Sequence, residues 1–341
     1  MSNYIDAIES ISPQNTFNSE GFFDEINPLV GDYFSCVAPD YKQYILVKQL
    51  RRMSQVIRMG VACAKSCLDK ANISVPDAIS IGTGLGCVTD TIKFLNNLNE
   101  NNETLLNPTA FIQSTHNTVS GQIALMLGCN AHNFTFSQQA LSFENALIEA
   151  LMILEETEQQ NILVGGIDEI TPEVFSLIKQ ADCYNKDEFV PGEGAGFFVL
   201  SNIKSAKNIA QIKDVLTINE KMEKEAFEKK LSAFLAKNNI ALEQIDILIT
   251  GDGQEAIDKN IKEVILTKCE QSINLVKYKH LVGEYDTASA FGLWLAAKII
   301  QKQRIPETVL FHKIKNKRLS NILIFNNGNK KQHSFILITA C

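Results

Sequence analysis

No apolar run in this 341-residue chain approaches the roughly 20 residues that a membrane span needs. Long basic runs are missing too. Pairs such as Lys330-Lys331 are the extent of them, and a formal net charge of −7 is spread over both halves, so nucleic acid is not an expected partner. Metal-ligand spacing is equally scarce: Cys63 and Cys67 lie four apart, but no second cysteine or histidine pair completes a four-ligand zinc set. Both read as core residues, and neither a metal nor another cofactor is expected. The opening MSNYIDAIESISPQ has neither a basic stretch nor an apolar one, so a secretory signal is not expected and the eight cysteines should stay reduced in a cytoplasmic protein. No low-complexity linker divides the chain.

What is present is an alternation of helical and strand patterns. The first forty residues read as irregular, broken by Pro13, Pro28 and Pro39. From Tyr41 to Ala71 apolar residues recur at three and four (Ile45, Leu50, Met53, Val56, Ile57), which predicts one amphipathic helix. Ala78–Ile81 is a short apolar run ending in glycines and reads as a buried strand; Thr89–Leu98 returns to helical spacing. NFTFS at 133–137 predicts a strand feeding a strongly apolar helix over Leu141–Glu155. NILVGG at 161–166, GFFVL at 196–200, DILIT at 246–250, NILIF and SFILI predict further strands, with helices over 220–238 and 287–301. Such order predicts an α/β fold with largely buried sheets. The strand-loop-helix at 133–155 is faintly echoed at 278–301.

Four segments, in order, carry a specific resemblance: GTGLG at 82–86, FIQSTHNTVSGQIALMLGCNAHNFTFS at 111–137, LVGGIDE at 163–169 and VPGEGAG at 190–196. Together they run from residue 82 to residue 196 and are similar to the β-ketoacyl synthase family. The resemblance implies the thiolase fold, a five-layer α-β-α-β-α sandwich of two similar halves, here residues 1–200 and 201–341, with a nucleophile at a helix start. A helix start offers unpaired N–H groups and a positive dipole end, which stabilise a thiolate and an oxyanion.

The family's catalytic side chains are missing. Aligned without gaps, Ser137, Ser142 and Ala146 fall on family positions and place the nucleophile at Ala140. A register slip would move it to Gln138 or Gln139, and the thiol would still be absent, because Cys129 precedes the strand. The first family histidine aligns with Thr250, with Asp258 anchoring the register. The second falls on Glu284, the first residue of EYDTASAFG and next to Gly283, with Lys279 retained and Leu293 where the family has a glutamate. Lys279 and Glu284 are expected to pair. His116, in QSTHN, is read as a structural histidine.

The resemblance thus implies no catalytic residue. It points to a subunit of the chain-length-factor type that pairs with an active ketosynthase and meets acyl carrier protein through that complex. The wording QSTHNTVSGQIAL and GEYDTASAF is most similar to ketosynthase-like proteins of aryl-polyene and flexirubin-type pathways. His132, Phe134 and Phe136 are then candidate dimer-interface residues, and Phe94, Leu98 and Phe111 candidate tunnel-lining residues. The alternative is a malonyl-thioester decarboxylase, invited by Gln138 and Gln139, or another acyl-transfer enzyme on the same fold.

Overall fold

Strands buried on both faces read as near-continuous apolar runs, and most strands of this protein do. The computed structural model describes residues 3–23, 25–104, 108–156, 160–180, 190–251, 273–314, 318–328 and 331–341. Its strands are β1 (Asn3–Ile11), β2 (Ala78–Gly82), β3 (His132–Phe136), β4 (Asn161–Asp168), β5 (Gly194–Ser201), β6 (Ala210–Asn219), β7 (Ile247–Thr250), β8 (Asn274–Lys277), β9 (Leu310–His312), β10 (Asn321–Asn327) and β11 (Gln332–Thr339). The principal helices are α1 (Gln55–Ala71), α2 (Val88–Glu100), α3 (Pro108–Gln113), α4 (Thr118–Leu127), α5 (Ser142–Glu156), α6 (Pro172–Gln180), α7 (Lys224–Lys237) and α8 (Ala288–Lys302). None is long and apolar enough to cross a membrane.

The strands form one sheet in the order β3-β2-β4-β5-β1-β6-β11-β10-β7-β8-β9, and the order repeats itself about the β1–β6 contact. On one side β2 runs parallel to β3 and β4, while β5 is antiparallel to both β4 and β1. On the other, β7 runs parallel to β8 and β10, while β11 is antiparallel to both β10 and β6. The faint sequence echo is therefore a repeat of topology: β3 leads to α5 as β8 leads to α8.

Alternation along the strands sorts side chains into layers. Ile162 and Val164 of β4, Phe198 and Leu200 of β5, Ile322 and Ile324 of β10, and Ile336 and Ile338 of β11 all face one central core. That core holds α5 and α8, which touch each other. The intervening residues Leu163, Phe197 and Val199 pack against α1, including Cys63 and Cys67. Leu323, Phe325, Phe335 and Leu337 pack instead against Phe227, Leu231 and Phe234 of α7. The two halves of the sheet, joined at β1–β6, thus face each other across the central core, and helix, half-sheet, two helices, half-sheet, helix is the five-layer sandwich. Because α8 lies in the middle layer it is buried almost all round, which accounts for its small and apolar composition.

Two readings of the N-terminal region are corrected. Residues 3–11 are not irregular; β1 is the strand at the centre of the sheet, paired with β5 and β6. Asp6 and Glu9 interrupt its apolar pattern. Glu9, 1% exposed, is tolerated there because it accepts from Ser66 Oγ at 2.6 Å, Lys70 Nζ at 2.7 Å and its neighbour's amide at 3.0 Å. The helix anticipated over Tyr41–Ala71 is continuous only from Gln55; a short turn covers Val47–Leu50, and Ser54 is extended. Leu46 and Val47 point into solvent, so the apolar spacing before Ser54 does not form one buried stripe.

The start of α5 lies hard against β2. A Cβ on Gly82 would stand 2.4 Å from the carbonyl carbon and oxygen of Ser142 and 2.5 Å from the Phe143 nitrogen, all backbone atoms. Gly82→Ala is expected to cost on the order of 2–3 kcal/mol in urea denaturation. Gly121→Ala, on α4, where a Cβ meets nothing within 4 Å, should be neutral or slightly stabilising. Equal midpoints for the two variants would show that the start of α5 yields freely.

Candidate functional site

The strand β3 ends and the chain turns through Gln139–Leu141, a single 3-10 turn, into α5. Gln139 takes a left-handed φ of 52°, which a residue with a Cβ adopts only where its surroundings fix it. Its side chain is exposed, whereas that of Ala140 is buried. Ala140 faces Gly328, beyond β10, so closely that a Cβ on that glycine would come within 2.0 Å of the Ala140 methyl. Asn326 Nδ2 donates to the Ala140 carbonyl at 3.2 Å. Cys129 is on the α1 side of the sheet and donates to the Pro76 carbonyl at 3.5 Å, far from this turn in the fold.

Three of the other singled-out positions meet at the ends of β7 and β8. Thr250 closes β7, buried, opposite Phe325 of β10 and Lys277 of β8. A Cβ on the adjacent Gly251 would lie 3.0 Å from Lys279 Cε. Lys279 is buried and donates to both carboxylate oxygens of Glu284 at 2.6 Å. The Glu284 backbone is held from the other half of the chain, donating to the Val190 carbonyl at 2.8 Å and accepting from the Gly192 amide at 3.0 Å. VPGEGAG thus supplies the backbone that fixes this pair. Ala140 joins the group through Asn326, next to Phe325. Asp258 lies outside the described residues.

A carboxylate cluster that the motifs did not single out lies alongside. Asp168, at the end of β4, accepts from Gly84 N at 2.7 Å and Thr83 Oγ1 at 3.1 Å on one oxygen, and from Thr287 N at 2.9 Å and Thr287 Oγ1 at 2.8 Å on the other. Asp286 presses on the same Gly84, where a Cβ would come within 1.9 Å of its carboxylate oxygen. Burial raises the Asp168 carboxyl while its four donors oppose that rise. Asp286 lacks such donors, and burial, followed by the charges of Asp168 and Glu284, raises it to about 7. Glu169 is likewise raised to about 7 by burial, against hydrogen bonds from Thr89 N and Oγ1. For Glu284 burial raises the carboxyl and the Lys279 charge lowers it. Among the described residues no group of side chains has the arrangement to hold a metal ion.

Comparison with known proteins completes the picture. A family model described as "Beta-ketoacyl synthase, N-terminal domain" matches residues 40–244, more than half of the chain. The chain belongs to the β-ketoacyl synthase family. Its fold is that of solved ketosynthases along its whole length. The ishigamide ketosynthase/chain length factor superposes with a TM-score of 0.78 at 17% identity, covering 100% of this chain and 99% of that one. A type II polyketide synthase acyl-carrier protein in complex with its ketosynthase bound to the hexaketide gives 0.76 at 14%, and a β-ketoacyl synthase from Burkholderia phymatum 0.77 at 13%. Both cover 100% of this chain and 99% of theirs. No curated protein matches the sequence.

The remaining singled-out residues are at the surface. β3 is the edge strand of the ketosynthase sheet, and along one face His132 stacks on Phe134 at 4.4 Å and Phe134 on Phe136 at 6.3 Å. Phe134 is 50% exposed. Phe94 and Phe111 contact at 5.6 Å between α2 and α3, with Phe111 57% exposed and Leu98 half-buried, so none of the three is a core residue. His116 is exposed and backs onto Gly86.

Two measurements test this site. Glu284→Gln leaves the buried Lys279 ammonium without its counter-charge and should cost about 3–5 kcal/mol in urea denaturation, whereas Glu284→Gln combined with Lys279→Met should recover most of that loss. Equal destabilisation by the single and double variants would show that the pair contributes nothing. The Asp286 carboxyl binds its proton more tightly folded (about 7) than unfolded (3.8). The native state therefore holds the extra proton, and this contribution is complete below the unfolded value and lost as pH rises through about 7. Between about pH 5 and about pH 8 the stability of Asp286→Asn should depend less on pH than that of the wild type; parallel pH profiles would sink the assignment.

Proposed function

We propose that this ketosynthase-family chain is a non-condensing subunit of the chain-length-factor type, which pairs with an active β-ketoacyl-carrier-protein synthase in cytoplasmic polyketide or polyene biosynthesis. One observation carries the reading: the turn into α5, from which the nucleophile should project, presents Gln139 and Ala140 and no thiol. The histidine positions support it. Thr250 has no imidazole, and Glu284 is a carboxylate already bonded to Lys279, so negative charge stands where an enolate or oxyanion would need donors. Two structural neighbours, a ketosynthase/chain length factor and an acyl-carrier protein in complex with its ketosynthase, are in keeping with this role.

The partner face we assign to β3. An unpaired edge strand with a half-exposed aromatic ladder is a surface that needs covering. Phe94, Leu98 and Phe111 extend the apolar area and are the side chains we assign to the floor of a partner's acyl tunnel. Carrier protein would be met at the exposed Lys48, Arg51 and Arg52, which surround the exposed Leu46 and Val47 on an otherwise acidic molecule. The sequence likeness to aryl-polyene and flexirubin-type proteins names the pathway class we favour.

The second reading, malonyl-thioester decarboxylation, draws on Gln139, whose exposed side chain and left-handed backbone occupy the elbow of the turn. Carbon dioxide release from malonyl carrier protein separates the two: the pure chain should release none above background, and release at enzymatic rates would establish the decarboxylase. Pairing is tested by Phe134→Asp, which should abolish co-purification with the active ketosynthase because a charge enters an apolar contact. Full recovery of the complex would show that β3 is not the interface.

A further inference from the structure

One patch of this acidic chain gathers ammonium groups at close quarters. Lys298 and Lys302 lie one turn apart on α8, and Lys70 sits in the last turn of α1. Two carboxylates share the patch. Glu9 is engaged by Lys70 Nζ at 2.7 Å, Ser66 Oγ at 2.6 Å and the amides of Ser10 and Asn18, so it is already taken, and Glu20 is exposed. Lys298 differs from the other two lysines. Lys302 is exposed and Lys70 is held in an ion pair, whereas Lys298 is half-buried and has neither a hydrogen bond nor an ion pair among the described residues. Its Nζ stands 5.8 Å from the ring centroid of the buried Trp294, one turn earlier on α8 and the only tryptophan in the chain.

An ammonium in such a place is disfavoured. Partial burial strips water from it, the charges of Lys70 and Lys302 repel it, and the pull of Glu9 and Glu20 offsets this only in part, so the Lys298 amine holds its proton less tightly than an ordinary lysine. A lysine amine that is desolvated beside other cations is an activated nucleophile, because only the unprotonated form attacks a carbonyl. The flexible four-carbon stem keeps it within reach of solvent. We propose that Lys298 is a modification site at which small acyl thioesters acylate the amine directly. The Nζ electron pair attacks the thioester carbonyl, the carbon–nitrogen bond forms, the carbon–sulfur bond breaks, and the amine's proton leaves with the departing sulfur as a thiol. A neutral amide then lies above the Trp294 ring, and the repulsion from Lys70 and Lys302 is gone. The site is independent of the non-condensing reading, since its nucleophile is an amine of α8 and the turn into α5 takes no part.

The probe is S-acetyl-N-acetylcysteamine, an uncharged thioester, so that attraction of the reagent to the lysines plays no part. The full chain is treated at about pH 8, and acetylation is followed at Lys298 and at the exposed Lys207 by peptide mass spectrometry. Lys298 should react roughly threefold to tenfold faster than Lys207; an equal or slower rate would overturn the proposal. A second comparison separates proton affinity from access. Lys302→Gln removes one repelling charge from an exposed position, and should slow acetylation of Lys298 by about twofold relative to Lys207, with circular dichroism confirming the fold. An unchanged or faster rate in that variant would show that access alone governs the amine, and would also overturn the proposal. Trp294 supplies the third readout. Converting the cation above its ring to an amide should change its fluorescence in the wild type and not in Lys298→Arg, which keeps the charge and lacks the reactive amine. An equal change in both proteins would place the reacting group elsewhere and sink the assignment.

Discussion

The carboxylate of Asp168 is the interaction on which the arrangement of the two halves depends. One of its oxygens is fixed by Thr83 and Gly84, in the loop after β2, and the other by the first residue before α8, Thr287. A single buried group therefore sets the distance between a loop of the first half and the helix that fills the central layer from the second. Donors from both halves converge on this buried carboxylate and make it expensive to replace, since its loss would leave their amides and hydroxyls in need of partners. Everything that converges on the candidate site follows from that spacing. Glu284 and Asp286 lie in the same short segment that leads to Thr287, and Gly84 is wedged between the two aspartates.

The polar groups of the candidate site are bonded internally. An emptied polar site would leave donors and acceptors buried and unpaired, at about 1–3 kcal/mol for each neutral group. Here Lys279 is neutralised by Glu284, the Ala140 amide by Gln332 and the Ala140 carbonyl by Asn326. Two of these three partners come from the C-terminal hairpin, and the Glu284 backbone is bridged to the GEGAG loop. The result is a region held by contacts across the chain's full length, whose polar groups serve stability.

Sequence patterns made the central strands and the two middle-layer helices legible because burial on both faces leaves a near-continuous apolar run that few other structures produce. β1 and β6 were hidden for the opposite reason. Glu9 in β1, and Lys213 and Asp214 in β6, break the pattern; Glu9 is tolerated through Ser66 and Lys70, which no local window contains, and Asp214 is paired with Lys237 and Asn238. Ala140, Thr250 and Glu284 were singled out through motif register. Gln332, Asn326 and Asp168 were not, since each acts through contacts more than a hundred residues distant. The left-handed backbone at Gln139 likewise has no signature in SQQALS; glutamine gives no local reason for a positive φ, which its surroundings impose.

Much of the fold rests on physics that is independent of any chemistry at the site. The five layers need only apolar alternation, and that is intact from β2 to β11. The edge at β3 is different: natural sheets blunt exposed edges with charge, proline or bulges, and β3 instead carries His132, Phe134 and Phe136 as a stacked row. Its opposite face is tied down by Ser120, which bonds Thr135 and accepts from Asn133, so the strand is rigid as well as apolar. A rigid apolar edge has a lower ordering cost on association than a mobile one. A stacked apolar row at an open edge favours association over solvation, which is the physical ground for the partner face proposed at β3.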